Sequence, residues 1–359
     1  MGDGNVIPKL GNMKAVLGIL AGAGASYGLY KLVRGIGGNA EKKNRTKSLE
    51  RSGQDIRASG DVILEPGSLM AKVSGFDVVG VRKSPSQVTA EASIFAPLIA
   101  DILKKSPNCL EPRHIGMLLS LLQSSPTTSE RSQVLVTLGN SAAFTVNQDF
   151  IREFGGLHII AGSLTDTSAD VRLQTLNALN NLSMNIRNQE QLKVYIPQIL
   201  EMIEMSPVNS DLQLAALRLL TNMSVTDKHQ HLMRNSVTLF LSLLVVSNEI
   251  LQVQVLKVLV NLSSNPDMIE DIVQAQAPAS LVLLFDCCTK VSVLLRLLTL
   301  MGNLRAWRPS AQVAEALRWK QDSLFCVLLD DSSQVHHRLP QLLSHPDGEV
   351  KAQVAKILT

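Results

Sequence analysis

Aromatic side chains are scarce in this chain: two Trp, three Tyr and eight Phe make up 4% of its 359 residues. Charged residues reach only 18%, while aliphatic ones abound. That is the composition of interleaved helices packed by Leu, Val, Ile, Met and Ala. Cysteine is also sparse: Cys287 and Cys288 are adjacent, and Cys109 and Cys326 stand alone. Such spacing fits neither a cross-link framework nor a CxxC or Cys/His metal site. The thiols read as reduced and mostly buried, facing a reducing compartment. Histidines gather only as His229 with His231 and as His336-His337 with His345, without ligand spacing, so no metal is expected. There is no Gly-rich phosphate loop, no GxSxG and no strand-framed carboxylate pair. No catalytic residue and no cofactor follow from the sequence, and an enzyme is not expected.

The net charge of +3 hides an imbalance. Residues 1–109 carry 15 Lys/Arg against 9 Asp/Glu, whereas residues 110–359 carry 19 against 22. The basic excess belongs to an N-terminal arm, so nothing suggests a chain that coats nucleic acid. Within that arm, residues 15–30 (AVLGILAGAGASYGLY) are uncharged, with Lys14 before them and Lys31 and Arg34 after. Sixteen helical residues reach ~24 Å, short of the ~30 Å hydrocarbon core. Leu32, Val33 and snorkelling lysines extend the span. Residues 1–34 therefore read as a membrane anchor with its helix at about 15–33, and the positive-inside rule puts the rest on the cytosolic side. A cleaved signal peptide and a buried core helix are the competing readings. Gly18/Gly22 and Gly24/Gly28 are small-xxx-small pairs that would let two anchors approach as a homodimer. Residues 35–87, rich in Gly, Ser, Lys, Arg and Asp, read as a disordered basic tether.

From residue 88 the pattern turns helical, and a repeat domain is expected over 88–359. VLVTLGNSAA, LQTLNALNNLSMN, LAALRLLTNMSVT, VQVLKVLVNLSSN and VLLRLLTLMGNLRA are variants of one leucine-rich word. Each carries an asparagine near its end, Asn140, Asn181, Asn222, Asn261 and Asn303, spaced by 41, 41, 39 and 42 residues. A helix recurring at that period specifies an α-solenoid in the HEAT or armadillo range. The second unit predicts a short helix over 147–154, a turn at Gly155-Gly156, a helix over 157–164 and a long third helix over 170–184. Three helices with a glycine hinge distinguish armadillo from the two-helix HEAT unit. Residues 322–359 keep the rhythm without the asparagine and read as a degenerate capping unit, the last of about six.

At 100° per residue, Asp170, Gln174, Asn177 and Asn181 share one wedge of the third helix, while Val171, Leu173, Leu176, Ala178, Leu179 and Leu182 fill most of the rest. Stacked units would align such wedges into a ladder. Its other rungs are Gln133 and Asn140, Arg218 and Asn222, Gln254, Lys257 and Asn261, and Arg296, Thr299 and Asn303. An asparagine amide both donates and accepts, so one per unit can bond the backbone of an extended peptide or bridge neighbouring helices. Arg218, Lys257 and Arg296 put one cation per unit on the far half, which favours an acidic partner segment.

The words LGNSAAFTVNQDFIREFGG, LNALNNLSMN, LLTNMSVTDKHQH and VQVLKVLVNLSSNP, with AGAGASYGLYKL near the start, resemble one group of animal armadillo repeat proteins. That group is related to the X-linked armadillo-containing and the receptor-associated sorting proteins. The resemblance covers residues 15–33 and about 111–359. It implies a non-enzymatic scaffold anchored in the mitochondrial outer membrane, with the endoplasmic reticulum as the alternative membrane. It further implies organelle-trafficking adaptors as partners, of the Miro and trafficking-kinesin kind, in mitochondrial distribution and dynamics. The alternative role it implies is regulation of growth and survival, dampening p53-dependent transcription through a transcription-factor partner. The chain departs from nuclear import receptors, where a Trp four residues before each ladder asparagine clamps lysines. Here Val136, Asn177, Arg218, Lys257 and Thr299 occupy those positions, which disfavours basic cargo.

Overall fold

Each leucine-rich word folds as a long helix: α1 (Thr128–Ser141), α2 (Ala169–Leu182), α3 (Asp211–Met223), α4 (Glu249–Ser263) and α5 (Val291–Arg305). They belong to a computed structural model that describes residues 101–359. The expected anchor, the tether and the first residues of the repeat domain lie outside that range. Four of the five helices start on a side chain that accepts an otherwise unpaired N–H of the first turn. Thr127 accepts from Glu130, Ser168 from Val171, Ser210 from Gln213 and Asn248 from Leu251. Only α5 follows a residue, Lys290, with no acceptor to offer.

Consecutive words lie side by side, α1 on α2, α2 on α3, α3 on α4 and α4 on α5. A final helix, α6 (Gly348–Leu358), is capped by Asp347 and packs on α5. In α2, Val171, Thr175, Leu176, Ala178, Leu179 and Leu182 are buried, and Asp170 and Asn177 lie on the exposed strip opposite. Each fully buried leucine contributes roughly 1.5–3 kcal/mol, and the buried aliphatics run as one continuous cluster along the stack. Among the described residues the only β-type pairing is an isolated bridge between Gln276 and Ser323.

The shorter helices vary more than the repeated words. The second unit has helices Thr145–Glu153 and Gly156–Gly162, joined at Gly155 with φ +68°. A Cβ on Gly156 would meet Leu119 Cδ1 at 2.7 Å and the Ile151 carbonyl at 2.8 Å. The expected glycine hinge is confined to this unit. The next two units turn through 3-10 segments, Lys193–Tyr195 and His231–Ser236, into helices Ile196–Met205 and Val237–Val246. Those turns stay in right-handed backbone space, where glycine has no advantage. The last unit also opens earlier than residue 322, with helix Ala311–Trp319.

The cysteines correct another expectation. Cys109, Cys287 and Cys288 are exposed and Cys326 is half-buried. Cys109 ends a 3-10 turn, and the Cys287-Cys288 pair sits in the loop before α5. Neither place has the apolar period that would carry a thiol inward. No described helix is long and apolar enough to cross a membrane.

Candidate protein-binding site

Four of the five ladder asparagines, Asn181, Asn222, Asn261 and Asn303, reach across to the preceding unit, and each points the same way. Asn222 Nδ2 donates to Ser183 Oγ at 3.0 Å and to the Asn180 carbonyl at 3.0 Å. Asn261 Nδ2 donates to Ser224 Oγ at 2.9 Å, and Asn303 Nδ2 to Ser263 Oγ at 2.9 Å. The acceptor serine is the one that follows the preceding unit's ladder asparagine by two residues. The recurring Asn-x-Ser words, which match a glycosylation sequon, are therefore halves of an inter-repeat lock. In the first unit Ala142 stands at the serine position, and Asn181 Nδ2 turns instead to the Gly139 carbonyl at 2.9 Å. Asn140, on the first rung, is exposed.

Only the nitrogen half of these amides is engaged in this way. Among the described residues no donor faces the Oδ1 of Asn222, Asn261 or Asn303. Asn261 is buried, and Asn181, Asn222 and Asn303 are half-buried along the strip. Gln174, half-buried, accepts from Asn177 Nδ2 at 3.4 Å within α2. The structure thus places Asn140, Gln174, Asn177, Asn181, Arg218, Asn222, Lys257, Asn261, Arg296 and Asn303 on the third helices of five successive units. Gly18, Gly22, Gly24 and Gly28 lie outside the described residues.

A second ladder, of buried glutamines, was not anticipated from sequence. Gln148 Nε2 donates to the Ala142 carbonyl at 2.8 Å and the Asn181 carbonyl at 3.0 Å. Gln189 does the same with Ser183 and Asn222 at 2.8 and 3.2 Å, and Gln230 with Ser224 and Asn261 at 2.7 and 3.2 Å. Each fastens the end of one third helix to the end of the next. The signal was the dipeptide Asn147-Gln148, repeated as Asn188-Gln189 and His229-Gln230 at intervals of 41 residues. It sits in helices of a few turns whose apolar period is too short to draw notice.

The cations of the far half occupy the same strip. Arg218 is exposed, and Lys257 and Arg296 are half-buried. Burial pulls the Lys257 ammonium below its ordinary pKa, helped by the like charges of Arg296 and Arg218. Burial lowers the Arg296 guanidinium in the same direction.

Other clusters offer less. Asp286, Cys287 and Cys288 bring three donor atoms within 4.8 Å of one another, but all three come from a single loop. The Asp286 carboxylate already accepts the Cys288 N–H at 2.8 Å and lies 3.7 Å from Arg338. A cavity of about 610 Å³ between α5 and α6 is lined by Arg305, Trp307, Arg318 and Phe325, among others. Its polar groups are engaged: Arg318 pairs with Asp330 at 2.8 Å and Arg305 donates to the Ile357 carbonyl at 2.6 Å.

Comparison with known proteins bears on the whole stack. The sequence profile of a family described as armadillo-like matches residues 110–329. A designed armadillo repeat protein solved in complex with the peptide (KR)4 superposes with a TM-score of 0.56 at 17% identity, over 71% of this chain and 98% of its own. A computationally designed armadillo repeat protein for modular peptide recognition gives 0.57 at 17% identity, over 71% and 98%. A further engineered protein gives 0.55 at 18% identity, over 68% and 96%. At these identities the likeness is one of fold.

Proposed function

The chain belongs to the armadillo-like family, and from that premise we propose that it is a non-enzymatic scaffold whose third-helix face binds an extended segment of a protein partner. The observation that carries this reading is the row of asparagines on successive third helices, whose amide nitrogens hold the stack while the oxygens of Asn222, Asn261 and Asn303 accept from no donor among the described residues. Backbone N–H groups of an extended chain are the donors such a row suits. Curvature of a solenoid turns one face into a long concave surface, and of the designed proteins that share this fold one is bound to the peptide (KR)4 and another was designed for modular peptide recognition. Proximity labelling in cells, comparing the intact chain with Asn181→Ala/Asn222→Ala/Asn261→Ala, tests it. Loss of specific partners with retained helicity supports the face as the working surface. An unchanged partner set places binding elsewhere.

The resemblance of residues 15–33 to the anchors of the X-linked and receptor-associated group supports a finer proposal. The scaffold would be held at the mitochondrial outer membrane, its repeats in the cytosol, and serve organelle-trafficking adaptors. Imaging a chain that lacks residues 1–34 tests the anchor, since persistent organelle localisation would overturn it. A soluble form that instead captures a transcription factor would favour the growth-regulatory alternative.

A further inference from the structure

The turns that lead into α3 and α4 carry an apolar patch that neither the core nor the third-helix face uses. Helices Ile196–Met205 and Val237–Val246 each end on an exposed hydrophobic residue, Met205 at 77% and Val246 at 61%. Val208 in the first turn and Ile250 at the start of α4 are exposed with them. The two turns touch, because Asn248 donates its backbone N–H to Asn209 Oδ1 at 2.8 Å. Asn209 stands at φ +67°, the only non-glycine residue in left-handed space among the described residues, and donates its own N–H to Gln213 Oε1 at 3.0 Å. All four apolar residues lie within four positions of that inter-unit bond along the chain, so it joins them into one pre-formed surface. The corresponding turn of unit two, residues 165–168, instead exposes Thr165 and Thr167 and closes on the Arg131–Asp166 pair.

The rim of the patch has a single sign. Residues 194–217 and 235–256 contain no Lys, Arg or His, and they carry Glu201, Glu204, Asp211 and Glu249, all exposed. Asp211 and Glu249 sit in first turns, where the helix dipole favours a carboxylate. Glu201 and Glu204 sit toward the C-terminal end of their helix, where the dipole opposes one. Helix stability therefore does not account for them. Glu201 lies one turn before Met205, on the same helix face. Among the described residues Glu201, Glu204 and Asp211 have no ion pair or hydrogen bond through their carboxylates, and Glu249 takes only the Ser292 hydroxyl, at 2.8 Å.

We propose that this edge of units three and four docks a basic amphipathic helix of a protein partner. Its apolar stripe would cover Met205, Val208, Val246 and Ile250, and its flanking Lys or Arg side chains would pair with Glu201, Glu204 and Asp211. Apolar exposure of this kind marks an interaction surface, and the unpaired carboxylates set the sign of what covers it. They repel nucleic acid and the anionic leaflet of a membrane, which leaves a basic protein segment. Neighbouring packed helices lie about 8–10 Å apart, and residues seven apart on a helix are separated by about 10 Å along its axis, so one stripe meets both units. The surface is separate from the third-helix face and does not depend on that face binding anything.

The test is fluorescence anisotropy with the full chain and three labelled peptides of equal length. One has Leu at helical spacing i, i+3, i+4 and i+7 with Lys elsewhere, one has the same stripe with Glu for Lys, and one is a shuffled Leu/Lys sequence without a stripe. The striped Leu/Lys peptide is expected to bind at least ~tenfold more tightly than either other, with affinity falling as salt rises. Met205→Ser/Val246→Ser and Glu201→Gln/Glu204→Gln should each weaken it by ~tenfold while circular dichroism is unchanged. Should either pair lose helicity, Ile250→Ser replaces the first and Asp211→Asn the second. Equal affinity for the striped and shuffled peptides, preference for the Glu peptide, or no response to the variants overturns the proposal. Binding that Asn222→Ala/Asn261→Ala abolishes with helicity retained belongs to the third-helix face and also overturns it. Self-association in sedimentation that Met205→Ser/Val246→Ser removes would make the occupant a second copy, and attachment to anionic vesicles through these residues would make it a membrane; either result sinks the proposal.

Discussion

His229 holds the place that Asn147 and Asn188 hold in the two preceding units, and it is buried. Burial lowers its pKa from the ordinary value, with partial opposition from Glu190, whose carboxylate lies 3.3 Å away; Lys193 and His231 act in the lowering direction. The folded state therefore prefers the neutral ring, while the unfolded chain takes up a proton near its usual pKa of about 6.5. As pH falls through that value, the unfolded state binds a proton that the fold resists, and stability drops. His229→Asn should flatten the decline of urea midpoints between about pH 7 and 5, with His114, also lowered by burial, supplying the residual slope. Unchanged slopes would show that His229 is protonated at no cost. The two glycines of the second unit separate another pair of effects. Gly155→Ala must hold a left-handed residue, at about 1–2 kcal/mol. Gly156→Ala drives a methyl against the Ile151 carbonyl and should cost at least as much, about 1–3 kcal/mol. Denaturant melts of the two variants measure both.

The third helices and the short helices differ in how openly they are written. A third helix repeats leucine and asparagine, and four of the five open on a capping Ser, Thr or Asn, so the period and the polar wedge were legible from the words alone. The glutamine ladder was not, because Gln148, Gln189 and Gln230 lie in short segments and bond to carbonyls that no side-chain pattern marks. Arg131 pairs with Asp166 at 2.8 Å across to the next unit's loop, and such a partner cannot be assigned from spacing. The direction of the asparagine amides was equally hidden, since the sequence allowed a bridging or a ligand-binding role and the structure turns the nitrogens of Asn181, Asn222, Asn261 and Asn303 to the preceding unit. The short-helix ladder also sets up a comparison of magnitudes. Gln189→Leu leaves the Ser183 and Asn222 carbonyls, and Thr226 Oγ1 at 2.6 Å, without their partner. That should cost about 2–3 kcal/mol, against about 1 kcal/mol for removing the α3 cap with Ser210→Ala. Hydrogen exchange should quicken at the junction of α2 and α3 in the first variant, and only in the first turn of α3 in the second.

Across the molecule, each unit's core is completed by its neighbours, so the terminal units matter beyond their own contacts. Ending the chain after Ala306 strips α6 from α5 and opens the apolar face of α5 to water. A lower unfolding midpoint with light scattering on heating is expected, and a truncated chain that melts like the whole would mean that α6 is dispensable. The asparagine amides have one more property, which belongs to the row and to no single rung. Every engaged nitrogen reaches back toward the N-terminal neighbour, so the amide dipoles do not alternate; they line up, and the row is a vector. A strand laid along it meets a different electrostatic landscape when it runs with that vector than when it runs against it. The surface therefore has a reading direction. A peptide and its reversed-order counterpart, identical in composition and charge, should bind with different affinities, and only a directionless patch would hold them equally.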